Sequence, residues 1–140
     1  MSHTCKALII TCMDFRLVNQ TKKWLDEQNL CNDYDLVSVA GASKEIANPS
    51  DEKNREFLLK SIRVSCDLHS VSKIVLIHHS DCGAYGGKQA FSNMEEEREA
   101  HEQDMQKSAE IIGGKYPGLD ILKVYAIIGK DGKVKFDEVA

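Results

Sequence analysis

Several things are scarce in this chain of 140 residues, and each scarcity closes off a class of function. No apolar run approaches the length needed to span a membrane. There is no surplus of basic charge: the net charge is −4, so a nucleic-acid partner, which would favour a basic surface, is not expected. Internal repeats and low-complexity tracts are missing, and the length suits a single domain over residues 1–140. The opening stretch MSHTCKALIITCMD has no basic segment before its apolar run, which speaks against a signal peptide. The cysteines do not come in a paired set. There are five, scattered at Cys5, Cys12, Cys31, Cys66 and Cys82, which argues for a reducing cytoplasm rather than a disulfide framework.

What is present alternates between strand and helix. Residues 6–11 (KALIIT), 34–40 (YDLVSVA), 73–78 (KIVLIH) and 121–128 (ILKVYAII) read as strands, the first a short continuous apolar run of the kind covered on both faces. Residues 17–28 show helical spacing. A second helix is expected from Ser50, as N-cap, to about Leu68, with Phe57, Leu58, Ile62 and Cys66 turned inward. A third, very polar helix should span residues 94–112 and end at Gly113-Gly114; its run EEEREAHEQD, including His101, reads as a solvated face. An Asp131-Gly132 hairpin leads to a short edge strand at 134–136. The expected fold class is α/β: a mostly parallel sheet with helices on both faces and an antiparallel C-terminal edge strand, a three-layer α/β/α arrangement.

In such sheets ligands bind beyond the carboxyl ends of the strands, where the strand order reverses. The unusual chemistry of this chain clusters at those ends. Cys12, Asp14 and Arg16 follow the first strand, Gly41 follows the second, and His79 and Cys82 follow the third. Taken singly, each cysteine or histidine reads as a small buried or packed residue. Their joint placement, beside an acid and a base, tilts the reading toward zinc held by Cys12, His79 and Cys82 with a fourth corner open, the mark of a catalytic ion. Asp14 with Arg16 could equally be an exposed ion pair, and Gly41 and Gly83 could serve only their turns. His78 should point away from His79 and be packed.

Cys12-Met13-Asp14-Phe15-Arg16 resembles the Cys-x-Asp-x-Arg motif of β-class carbonic anhydrases, and His79-Ser80-Asp81-Cys82-Gly83 their His-x-x-Cys-Gly motif. Val39-Ala40-Gly41-Ala42 is similar to the Ala-Gly segment between the two. The resemblance covers nearly the whole chain. It implies Zn2+ on Cys12, His79 and Cys82, and Asp14 with Arg16 as the catalytic dyad. Gly41, Ala42 and Gly83 would lie on the substrate side. The implied reaction is hydration of carbon dioxide to bicarbonate in a cytoplasmic homodimer or higher homo-oligomer. Asp14 would orient the activated water, and Arg16 would keep Asp14 from taking the open corner itself. The chain is expected to be a shortened member: its first strand follows almost at once, without the N-terminal helices common in the family, and Ser38 or Val39 stands where arginine is frequent. Two other readings share these residues. One is a zinc protein on the same fold that is non-catalytic or acts on another small substrate such as carbon disulfide. The other is a cysteine phosphatase using residues 82–88 as a phosphate loop, which Lys88 in place of arginine disfavours.

Overall fold

The computed structural model describes residues 3–140. Its sheet has five strands: β1 (Ala7–Cys12), β2 (Tyr34–Val39), β3 (Lys73–His79), β4 (Asp120–Ile128) and β5 (Val134–Val139). The spatial order is β2-β1-β3-β4-β5, with all pairs parallel except β4 with β5. All six residues of β1 are buried, because strands flank it and helices cover both its faces. The chain steps one way from β1 to β2 and the other way from β2 to β3, so the order reverses between β1 and β3.

Strand alternation divides the apolar residues into two cores. Ala7, Ile9, Val75 and Ile77 pack with Leu17 and Leu25 under α1 (Val18–Glu27). Leu8, Ile10, Ile74 and Leu76 face the other way. They meet Ile46 of α2 (Lys44–Ala47), Leu58 and Ile62 of α3 (Glu52–His69), and Met105 and Ile112 of α4 (Met94–Lys115). The three-layer α/β/α expectation therefore holds, with one helix on one face and three on the other. Among the described residues no helix is long and apolar enough to cross a membrane.

Local details depart from the sequence reading. The four-residue α2 was not foreseen. Asp51, not Ser50, caps α3, its carboxylate accepting from the Lys53 amide at 2.9 Å, while Ser50 bonds to Glu45. Phe57 points to solvent, and Ser65 takes the inward place that helical phase assigns on that face. Helix α4 runs through Gly113-Gly114 to Lys115. Buried Ile112 anchors the last turn, Tyr116 N–H closes it on the Ile112 carbonyl at 2.9 Å, and Pro117 stops it. The edge strand β5 extends to Val139, not Phe136, because the pairing with β4 continues to Lys123.

The run EEEREAHEQD is not wholly solvated either. Glu97, His101, Met105, Ser108 and Ile112 form one buried stripe along α4 at spacings of three and four. His101 is fully buried, contrary to the expectation of a solvated side chain.

Candidate metal centre

Beyond β1 the ladder continues for one bond, Met13 N–H to the Val39 carbonyl at 3.1 Å, and then the chain turns. The turn is a short 3₁₀ helix, Phe15–Leu17, capped by Asp14. Asp14 and Arg16 thus meet through a turn, not through the alternation of an extended strand. The Arg16 amide donates to Asp14 Oδ1 at 2.9 Å, and the guanidinium grips the same carboxylate with Nε to Oδ1 at 3.0 Å and Nη2 to Oδ2 at 2.7 Å. This two-pronged contact is the chief reason that the Asp14 carboxyl titrates at about 2, below its ordinary 3.8.

His79 ends β3 and Cys82 lies three residues on, across a turn in which Asp81 adopts a left-handed φ of 56°. His79 Nδ1–H donates to the Ser80 carbonyl at 2.7 Å, which leaves the lone pair on Nε2. That Nε2 is buried and has no hydrogen-bond partner. Cys12 Sγ and Cys82 Sγ lie 3.9 Å apart, and the donor atoms of Cys12, His79 and Cys82 are all within 4.8 Å of one another. A buried, unpartnered imidazole nitrogen facing two sulfurs is a donor set that fits zinc.

The sulfurs behave as one unit. A hydrogen bond from Cys82 is the first cause lowering the Cys12 thiol; burial opposes it, and His79 and the Gly41 amide assist. Cys82 is pushed far up by the same contact and by burial. Two sulfurs in contact inside a buried site mark a place where a cation is favoured. Burial is the largest single influence on His79 and opposes its charged form, yet Cys12, the Ser80 carbonyl and Asp14 together shift it upward. Asp14 Oδ2 stands 3.9 Å from His79 Nε2, at the edge of this cluster.

The outer support came from residues that the sequence reading did not select. Arg16 Nη1 donates to Asp81 Oδ2 at 3.1 Å and Nη2 to the Asp81 carbonyl at 2.9 Å, so the turn after β1 is tied to the turn after β3. Asp81 is itself held: its amide donates to buried Glu97 Oε2 at 2.8 Å, and its Oδ1 accepts from the Lys88 amide at 2.9 Å. Asp81 had a legible signal, since it sits between the two candidate ligands. Glu97, inside a charged run, had none.

Gly41 has φ +78°, and a Cβ there would lie 3.0 Å from the Ala84 Cβ and 3.1 Å from the Lys44 Cβ. Glycine therefore lets the turn after β2 close against the turn after Cys82. Ala42 is fully buried and offers the site no side-chain surface. Gly83 opens a 3₁₀ turn, and a Cβ on it would meet nothing within 4 Å. A largely apolar cavity of about 210 Å³ adjoins Cys12, lined also by Thr11, Leu17, Val18, Leu36 and Ser38. On the far side of β3, His78 is packed as expected. Its Nε2 accepts from the Ser43 amide at 3.3 Å, so its proton lies on Nδ1, which donates to His101 Nδ1 at 2.9 Å. Burial holds both rings neutral, His101 titrating at about 3.

Comparison with known proteins bears on the family and the fold. The family model described as "Putative carbonic anhydrase" matches residues 2–136. An uncharacterized protein of Rickettsia bellii (strain RML369-C) is 35% identical over 132 residues, covering 91% of this chain and 79% of the relative. An uncharacterized protein of Rickettsia conorii (strain ATCC VR-613 / Malish 7) is 34% identical over 132 residues, covering 91% of this chain and 69% of the relative. Among solved structures, a tetrameric β-carbonic anhydrase from Sordaria macrospora superposes with a TM-score of 0.62 at 17% identity, covering 99% of this chain and 84% of that one. The β-carbonic anhydrase CafA of Aspergillus fumigatus gives a TM-score of 0.64 at 16% identity, covering 96% and 76%. With a family model spanning almost its whole length, the chain belongs to this carbonic anhydrase family, and it carries the β-carbonic anhydrase fold.

Proposed function

We propose that this protein interconverts carbon dioxide and bicarbonate with a zinc ion held by Cys12, His79 and Cys82. The observation that carries the reading is the His79 Nε2 lone pair, buried and unpartnered, set against two sulfurs with a clamped carboxylate 3.9 Å away. Zinc at that place would supply Lewis-acid activation of water. The chain's own residues do the rest. Asp14 stays ionised at any physiological pH and accepts the hydrogen bond of the attacking water, which turns an oxygen lone pair toward carbon. Arg16 occupies both carboxylate oxygens, so Asp14 is kept from swinging inward to close the site. Asp81 fixes the outer edge of Arg16. The apolar cavity beside Cys12 suits a small uncharged substrate, and Gly41 lets the turns after β2 and after Cys82 close together beside the cluster.

We assign the protein to the cytoplasm as a homodimer or larger homo-oligomer. The five cysteines are all unpaired thiols, which suits a reducing compartment. Met13, Phe15, Val18 and Leu36 are apolar and largely exposed, and Val18 and Leu36 also line the cavity, so a second copy could cover them.

Stopped-flow carbon dioxide hydration on zinc-loaded protein tests the reaction. The loaded chain should be active, and Asp14→Ala should lower kcat about 100-fold or more while zinc stays bound. A zinc-loaded chain that hydrates no faster than buffer overturns the reading in favour of a non-catalytic zinc protein.

A further inference from the structure

A second cluster of soft and hard donors lies at the opposite end of β1. Cys5 sits just before that strand, Asp35 lies on β2, and His69 is the last residue of α3. Their donor atoms are all within 4.8 Å of one another. The backbone holds the three elements in place: Cys5 N–H donates to the His69 carbonyl at 3.1 Å, and Leu8 and Asp35 are register partners in the β1–β2 ladder.

We propose that Cys5, Asp35 and His69, joined by His3, form a second site for a zinc-type divalent ion. The donor chemistry is mixed sulfur, oxygen and nitrogen, which zinc accepts in four-coordinate geometry. His69 Nδ1 lies 2.9 Å from Asp35 Oδ1 and 2.8 Å from Oδ2, so its proton is shared by both oxygens and not aimed at one. An ion can take that proton's place. Ser65 Oγ donates to Asp35 Oδ2 at 2.6 Å and orients the carboxylate, as an outer-shell partner orients a ligand. Among the described residues the Cys5 thiol has only a long contact to the Ala7 carbonyl at 3.6 Å, so little holds it back from an ion. The His3 ring centroid is 4.9 Å from that of His69, close enough to bring in a fourth donor.

A zinc tetrahedron with these bond lengths has edges of roughly 3.5 Å, so closing the site takes small side-chain rotations. His69 and Asp35 have that freedom, their side chains being 28% and 29% exposed. Binding at Nδ1 moves the ring proton of neutral His69 to Nε2, and the Cys5 thiol releases one proton to solvent as it becomes a thiolate. The ion would staple the start of β1 to β2 and to the end of α3.

Equilibrium dialysis with Co2+ tests this. The native chain should bind two Co2+ per chain, and Cys5→Ser should bind one. Cys12→Ser/Cys82→Ser should keep one ion together with a near-ultraviolet sulfur-to-cobalt charge-transfer band. Adding Cys5→Ser to that double variant should abolish the band and the binding, and His3→Ala in it should weaken binding while leaving the band. Unchanged stoichiometry in Cys5→Ser overturns the proposal, as does a charge-transfer band that survives when Cys5 is removed from the double variant. Should the double variant not fold, the comparison of native chain with Cys5→Ser decides alone.

Discussion

The two ends of β1 carry similar side chains in opposite surroundings. At the carboxyl end, His79 is fully buried, its Nδ1–H is spent on a backbone carbonyl, and its Nε2 has no protein partner. At the amino end, His69 is part-exposed, and its Nδ1–H is spent on a carboxylate that could itself be a ligand. One arrangement leaves a desolvated lone pair that only an incoming group can satisfy. The other is already satisfied and can exchange a proton for an ion. Burial and prior hydrogen bonding, more than donor identity, separate a site built around its ligand from one that takes it up by exchange.

Breaking the buried end should have the largest effect. His79→Ala removes the only imidazole of that cluster, and carbon dioxide hydration should fall to the buffer rate with zinc lost, as elemental analysis and a hydration assay would show. Asp81→Asn weakens the outer hold on Arg16 and should lower activity roughly 10- to 100-fold with zinc content unchanged. Near-normal kcat in that variant would mean that Arg16 needs no anchor. A smaller effect is expected in the pH dependence of stability. The folded-state carboxyl of Asp14 is depressed from 3.8 to about 2. Its contribution to stability is therefore fully present above the ordinary value and is lost as pH falls through the folded one. Urea midpoints of the metal-free chain should fall over that window, and Asp14→Asn should flatten the fall. The smallest effect belongs to the other end of β1. Ser65→Ala removes a hydrogen bond to Asp35 and should cost about 1 kcal/mol in urea unfolding without changing hydration kinetics. Altered kinetics there would show that the two ends communicate.

Residues whose role follows from chain-local pattern were readable in advance. The apolar runs of β1 and β3 announce buried strands, and a buried strand in a parallel sheet sends its carboxyl end to the ligand crevice, which places Cys12 and His79. Residues whose role depends on what another element brings were not readable. Glu97 and His101 lie on a helix whose polar stripe faces the sheet, and polarity alone could not say that it turns inward. Four-residue α2 is too short to show a period. Gly113-Gly114 ordinarily signals a helix end, but tertiary burial of Ile112 overrode that local preference. Asp14 and Arg16 are two apart in sequence, but the capped turn that brings their side chains together is not written in any periodic pattern.

His78 and His79 are consecutive, yet one is locked to Ser43 and His101 above the sheet and the other faces the sulfurs below it. If β3 slid by a single residue against β1, the two rings would trade sides. Ser43 and His101 therefore act as a keyway: by seating one imidazole they forbid the neighbouring one from being threaded into the wrong layer. Loosening that seat would degrade the sulfur cluster without touching any atom in it.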